Sequence, residues 1–311
     1  MVNTPPYFSV IIPLYNKETE LKKTLNSVLN QTFSDFEIII INDGSTDNSL
    51  SVAQSFNSKK IKIHNQPNKG LSFSRNKGIL LASGKFVALL DADDLWENNY
   101  LQVIYNMTIK HPNESIFATG YKEKRNKKIL PYSKKKNTKP VILKDFFQVN
   151  FNAFILDQSS LVFKRSFLRN RNYNSNITYN EDVDFYLNHL YNRSIVFAFQ
   201  GLMIKNYDSG SQLSGAPISK HIIPDLDYYQ VKHKELPSAI KFIDIQRYKY
   251  AIKYTYEGNY SLKEDIVKKI NKRNLSYKQR IMLCLPKNIL IQLRACKFFI
   301  LNHFKIRLTS Y

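Results

Sequence analysis

The chain has 311 residues, 43% of them hydrophobic, and a net charge of +21 from 46 Lys and Arg against 25 Asp and Glu. That length and apolar fraction exclude a globally disordered chain and allow one large domain, or one domain plus an appendage. The charge excess implies an anionic partner (nucleic acid, a membrane face or a phosphorylated substrate) and is uneven: residues 216–311 hold 19 basic against 7 acidic side chains, the rest 27 against 18.

In chain order, Met1 to Phe8 lacks the basic head and apolar core of a secretory leader. The first element is a short β-branched run from Phe8 to Leu14. Leu21, Leu25, Val28 and Leu29 then recur at helical spacing. Glu37 to Ile41 is a second buried strand, and Ser45 and Asp47 are suited to cap the short helix after it. Ile61 to His64 is predicted as a third strand, Leu71 to Leu81 as a helix, Lys85 to Leu90 as a fourth strand, Glu97 to Lys110 as a helix and Ser115 to Thr119 as a fifth strand. Continuous apolar strands alternating with helices predict an α/β fold, a mostly parallel sheet flanked by helices. Residues 122–140 are dominated by Lys, Arg, Asn and Pro and predict a surface loop. Mixed helices and strands resume from Asp145, and residues 219–311 read as helical. The expected organisation is a sheet domain over 1–215 and a basic helical extension over 216–311. Cys284 and Cys296 match no metal or redox spacing and are expected to be reduced, buried thiols. No apolar stretch reaches membrane-spanning length.

In such sheets ligands bind beyond the carboxyl ends of the strands. Polar residues stand at three of those ends: Pro13-Leu14-Tyr15-Asn16, Asn42-Asp43-Gly44-Ser45 and Asp91-Ala92-Asp93-Asp94. Three carboxylates in four residues repel unless something positive sits between them. Hard oxygen ligands select Mg²⁺ or Mn²⁺, which often add substrate phosphates to one or two carboxylates. The bland alternative is a solvated turn capping the next helix. Tyr15 is either a base-stacking ring or a strand-end aromatic. Asp43 either accepts a nucleobase N–H or makes an Asx turn. Arg75, at a helix start after Asn68-Lys69-Gly70, pairs with a phosphate or lies on the surface. Glu181 and Asp182 either complement a helix dipole or include a general base. No Gly-x-Gly-x-x-Gly, phosphate-loop or Gly-x-Ser-x-Gly signature is present.

Taken together, Val10 to Asn16, Asn42 to Asp47, Asn68 to Gly78, Asp91 to Asp94 and Asn180 to Asp182 closely resemble the family-2 inverting glycosyltransferases with the GT-A fold, over about residues 7–210. The resemblance implies a bacterial-type enzyme that moves a sugar from a nucleoside-diphosphate donor, typically UDP-linked, to a glycan or lipid-linked glycan. Pro13, Tyr15, Asn16, Asp43, Arg75, Asp91 and Ala92 would line the donor. Asp93 would hold Mn²⁺ or Mg²⁺, Asp182 would be the catalytic base and Glu181 would stand beside it. Relatives often carry His where this chain has Gly210, leaving Ser211 and Ser214 as candidates for phosphate contact. Two rival classes are an inactive nucleotide-sugar-binding module and a nucleic-acid binder. The intact acidic residues oppose the first, and the lack of a recognition module opposes the second. In the tail, Ile289, Leu290, Leu293, Ile300, Leu301 and Phe304 alternate with Lys287, Arg294, Lys297, Lys305 and Arg307. That pattern suits a helix lying on an anionic membrane, or one docked on the protein's own core or on a partner. The expected location is the cytoplasm, at the inner face of its membrane. Composition says nothing of oligomeric state.

Overall fold

The computed structural model describes residues 4–130, 139–151, 155–210 and 217–304, with backbone only over 297–304. In chain order the first elements are β1 (Phe8–Leu14), α1 (Leu21–Leu29), β2 (Phe36–Asp43), α2 (Ser49–Gln54), β3 (Ile61–Gln66), α3 (Leu71–Leu81), β4 (Phe86–Leu89), β5 (Leu95–Trp96), α4 (Tyr100–Lys110), β6 (Ile116–Arg125), β7 (Lys128–Leu130) and β8 (Val141–Leu143). There follow α5 (Phe146–Val149), β9 (Leu161–Lys164), α6 (Arg165–Leu168), α7 (Glu181–His189) and β10 (Ile195–Asn206). The C-terminal helices are α8 (Leu226–Lys232), α9 (Pro237–Glu257), α10 (Tyr260–Lys268), α11 (Tyr277–Cys284) and α12 (Lys287–Phe304).

The chain divides into two compact units that interleave in sequence. One comprises 1–144, 155–178 and 193–212; the other comprises 145–154, 179–192 and 213–311. Glu181 and Asp182 fall in the second, helical unit.

The first unit is built on one sheet of order β3-β2-β1-β4-β9-β6-β10-β5, with β7 on β6 and β8 on β10. The parallel half, β3 to β4, is the one the apolar runs predict. In it β2, β1 and β4 are buried on both faces and are largely unbroken hydrophobic sequence, while the edge strand β3 is partly exposed. Val10, Ile12 and Leu14 join Leu21, Leu25 and Val28 of α1 in the main core. Ile11 points the other way, to α3, where a Cβ on Gly78 would meet its Cγ2 at 2.2 Å. Gly78 therefore serves a close helix–strand approach, and its place in the Asn68–Gly78 motif reflects packing. The second half of the sheet is mixed: β9 runs antiparallel to β4 and β6, while β10 runs parallel to β6.

Residues 122–130 depart from the expected loop. β6 runs on to Arg125 and turns into β7 through Asn126 and Lys127, both with φ near +50 to +60°. The Asp208 carboxylate accepts both turn N–H groups, at 2.6 and 2.8 Å, which offsets the turn's strain. Lys122 pairs with Glu97 and Arg125 with Glu123, so the polar composition is satisfied within a hairpin. Residues 131–138 lie outside the described residues. α4 starts at Tyr100 rather than at Glu97, whose backbone N–H donates to Leu202 and whose carbonyl accepts from Gln31 Nε2.

Glu37 is a buried carboxylate at the start of the parallel half. It accepts from Ser9 Oγ, from Ser83 N and Oγ, and from Lys62 Nζ at 2.7 Å. Burial alone would raise its pKa, but these donors together hold it down at about 2. A carboxylate depressed on folding adds stability above its unfolded pKa and loses it as pH falls through the folded one. The window here runs from about pH 4.5 down to about 2. The contribution is on the order of 3 kcal/mol at neutral pH. Glu37→Gln is expected to lower the urea midpoint at pH 7 and to flatten the fall in stability between pH 4.5 and 2. A variant that follows wild type through that window would remove this role.

The helical unit has its own core. Ile245, Tyr248, Ala251 and Ile252 of α9 meet Ile270, Leu275, Met282, Leu283 and Leu290. Pro237 opens α9 and Gly258, at φ +78°, closes it. Leu290 docks α12 on this core, while Ile289, Ile291 and Leu293 stay exposed. The side chains of Lys297, Ile300, Leu301 and Phe304, and residues Lys305 and Arg307, lie outside the described residues. Among the described residues no helix is long and apolar enough to cross a membrane. Cys284 and Cys296 are free as expected but exposed, because α11 and α12 turn them away from the core.

Candidate functional site

The carboxyl ends of β2, β1 and β4 lie side by side, which brings Asp43, Tyr15 and the 91–94 turn to one edge of the sheet. Each loop is fixed locally. Asn16 turns the chain after β1 with φ +50°, and its side chain bonds Thr46 N and Oγ1. Gly44 turns it after β2 with φ +70°, where a Cβ would lie 2.8 Å from Asn68 N. Asp47 accepts from Ser49 N, the first residue of α2, but the N-cap position itself is Asn48, whose side chain makes no cap bond.

Asp43 is buried. Its Oδ1 accepts from Lys69 N and Gln66 Nε2, and its Oδ2 from Gly70 N. An ionised carboxylate offers about four acceptor positions. Three hold the 66–70 segment, leaving room for one ligand donor. Tyr15 is 43% exposed and presents its ring to solvent. Pro13 is buried inside β1 opposite Ile41, and the carbonyl of buried Ala92 accepts from Thr24 Oγ1. Both shape the site through the backbone.

The 91–94 turn is the charged centre. The three carboxylates do not share one cation: Arg75 serves Asp91, Lys17 serves Asp93, and Lys205 lies between Asp91 and Asp94. Arg75, buried beside the Tyr173 ring, donates from its guanidinium to Asp91 Oδ1 at 2.8 Å. Lys205, at the end of β10, reaches Asp94 at 3.2 Å and Asp91 and Asp157 at 3.5 Å. Lys17 Nζ donates to Asp93 Oδ2 at 2.6 Å and to Ser209 Oγ at 2.9 Å. Asp94 is fully buried and also accepts from Ser159 Oγ and Asn206 N. It is thus a structural carboxylate that ties the turn to β10. Burial opposes ionisation of Asp91, yet Arg75 and Lys205 hold its pKa at about 2. Asp94 is pushed up to about 7, first by burial and then by Asp157, Asp93 and Asp91, against the pull of Lys205.

Sequence patterning does not single out Lys17, Lys205 or Ser159. Lys17 directly follows the β1 strand-end motif, which was the available signal. Lys205 is a lone cation in an apolar strand, and nothing local marks its distant partners.

Among the described residues no three His, Cys, Asp or Glu side chains converge as a metal cage. The donor set fits a different arrangement. Asp93 is 13% exposed, and its Oδ1 has no hydrogen-bond partner among the described residues. One carboxylate suits a hard cation that completes its shell with substrate phosphates and water. Ser211 and Ser214 lie outside the described residues.

Glu181 and Asp182 open α7 in the helical unit. Asn180 precedes them at φ +57° and donates to Tyr250 OH at 3.1 Å. Asp182 Oδ1 accepts from Val183 N at 2.8 Å. Lys249 of α9 lies within Coulomb reach of Asp182; burial brings its pKa down to about 8, against that carboxylate's pull. Its tie to Asp182 crosses from α9 to α7, which sequence spacing does not reveal. Asp184 is buried and accepts from Tyr229 OH at 2.8 Å, so it belongs to the unit's interior.

Comparison with known proteins places this geometry. The sequence model described as "Glycosyl transferase family 2" matches residues 9–172, just over half of the chain. The minor teichoic acid biosynthesis protein GgaA of Bacillus subtilis is 29% identical over 80% of this chain and 53% of its own. The UDP-Glc:alpha-D-GlcNAc-diphosphoundecaprenol beta-1,3-glucosyltransferase WfgD of Escherichia coli is 35% identical over 39% of this chain and 48% of its own. The chain matches between 16% and 53% of the length of the first curated relatives. Staphylococcus aureus TarS 1-349 in complex with UDP-GlcNAc aligns with a TM-score of 0.59 at 17% identity, covering 89% of this chain and 78% of that one. The Pyrobaculum calidifontis mannosyltransferase PcManGT with GDP-Man and Mn²⁺ aligns with a TM-score of 0.55 at 15% identity, over 97% and 83%. At such identities the likeness concerns the fold, which is GT-A.

Proposed function

Because this chain belongs to glycosyl transferase family 2, we propose that it transfers a hexosyl or N-acetylhexosaminyl group from a nucleoside-diphosphate sugar, UDP-linked, to an acceptor hydroxyl with inversion at the anomeric carbon. The observation that carries this reading is Asp93, a largely buried carboxylate held at the carboxyl end of β4 with one oxygen that no described residue hydrogen-bonds. Beside it stand the exposed Tyr15 ring and the remaining acceptor position of Asp43, suited to stack on a base and to accept its N–H. Arg75 acts through Asp91, fixing that carboxylate where a ribose or phosphate shell would meet it.

A divalent ion bound at Asp93 supplies Lewis-acid stabilisation of charge growing on the departing diphosphate. The chain's own residues do the rest. Asp182 takes the proton of the attacking hydroxyl, and Glu181 orients the acceptor. One base suffices because a nucleoside diphosphate leaves more readily than the sugar alkoxide that glycosidases must protonate. GgaA and WfgD, with teichoic acid and diphosphoundecaprenol in their names, support an acceptor in cell-surface polysaccharide assembly, lipid-linked or polymeric.

The test is a screen of UDP- and GDP-sugars for nucleotide release with Mn²⁺, followed by proton NMR of the new anomeric centre. A UDP-sugar is expected to react with inversion. Release from no nucleotide sugar in the presence of lipid-linked acceptors, or a retained anomer, would sink the proposal.

A further inference from the structure

Three cations serve the 91–94 turn, and they are not equivalent. Arg75 and Lys205 sit on carboxylates that the fold needs: Asp94 is fully buried, and Asp91 ties α3 to β4. Lys17 is different. It pairs with Asp93, the carboxylate with an oxygen that no described residue hydrogen-bonds, and neither side chain is more than 13% exposed. Its reach is set by the fold. The Lys17 backbone N–H donates to Ser49 Oγ at 2.6 Å, fixing the stem, while Ser209 Oγ accepts from Nζ on the far side.

An ammonium so placed neutralises the charge that a divalent ion would neutralise. A metal arriving alone must compete with Lys17 for Asp93 and take from a largely buried ammonium the carboxylate it is paired with, which is costly. A metal arriving with a diphosphate meets a smaller penalty, because the phosphate oxygens give Nζ a new anionic partner.

Resting on the reading that Asp93 is the metal ligand, we infer that Lys17 is a built-in competitor for the divalent ion. It holds Asp93 while the donor site is empty, passes to the donor's diphosphate on loading, and so couples metal binding to donor binding. It is a positioning residue: it acts through Asp93 and the phosphates, with no proton transfer. Linkage makes the coupling reciprocal, so metal and nucleotide tighten each other by one common factor.

The test is nucleotide-free Mn²⁺ binding, read by electron paramagnetic resonance of the free ion, on the full chain. Lys17→Met keeps the stem and removes the charge; it is expected to bind Mn²⁺ about tenfold more tightly than wild type, within the usual range for such couplings. Lys17→Arg is expected to stay near wild type. Adding Asp93→Asn to Lys17→Met is expected to abolish the gain. Equal or weaker Mn²⁺ binding by Lys17→Met overturns the inference and leaves the Asp93 reading standing. A gain that survives Asp93→Asn overturns both, because the ion is then held elsewhere. A merely structural Lys17 would leave nucleotide-free Mn²⁺ affinity unmoved or lowered, and that also counts against the inference.

Discussion

Asparagine in place of Asp182 is expected to lower kcat by about 10²–10⁴-fold, the usual worth of a positioned general base, with donor binding little changed. The argument separates fold from chemistry. Asn180 sets the entry to α7 through its left-handed backbone and its bond to Tyr250, and neither depends on the charge of Asp182. Asparagine keeps an Oδ1 to accept the Val183 N–H, so the first turn stays intact. What it loses is the ability to take a proton from the acceptor hydroxyl. Lys249 nearby loses that carboxylate's pull, so burial lowers its pKa further. Single-turnover rates with saturating donor, paired with calorimetric titration of UDP, read the two effects apart. Undiminished turnover in the variant would take Asp182 out of the mechanism.

Removing the Asp93 carboxylate has a broader effect. Asp93→Ala is expected to lose about 10²–10³-fold in kcat/KM, the scale of several kcal/mol of charge stabilisation. Unlike the Asp182 variant, it is also expected to weaken UDP binding in Mn²⁺ and to make that binding insensitive to a chelator. The side chain is peripheral to the core, and Asp91 and Asp94 keep their own cations, so the turn is expected to survive. A fully active, chelator-sensitive Asp93→Ala enzyme would show that the ion is bound elsewhere.

The parts of this molecule that were readable from sequence are those whose physics is local. Phe8–Leu14, Phe36–Asp43 and Phe86–Leu89 announce themselves because strands covered on both faces are apolar throughout. Their ends then mark where Tyr15, Asp43 and Asp93 emerge. The antiparallel half was less legible. β6 carries Lys122, Glu123, Lys124 and Arg125, a composition that reads as loop until the Glu97, Glu123 and Asp208 partners are in place. The acidic turn shows the same limit at the site. Its three carboxylates called for positive charge, and a shared ion was the local solution. The fold supplies Lys17 from 76 residues before Asp93 and Lys205 from 111 residues after Asp94, distances over which spacing carries no signal. Arg75 was visible as a cation at a helix start, but its burial on Asp91 and Tyr173 was not.

One structure tests the central claim most directly: the protein with Mn²⁺ and UDP, with anomalous scattering used to place the metal. The account predicts a manganese peak in bonding contact with the Asp93 carboxylate and with diphosphate oxygens, and the uracil ring against Tyr15. Manganese and nucleotide bound away from residues 91–94, or UDP bound in full with no metal at Asp93, would contradict it.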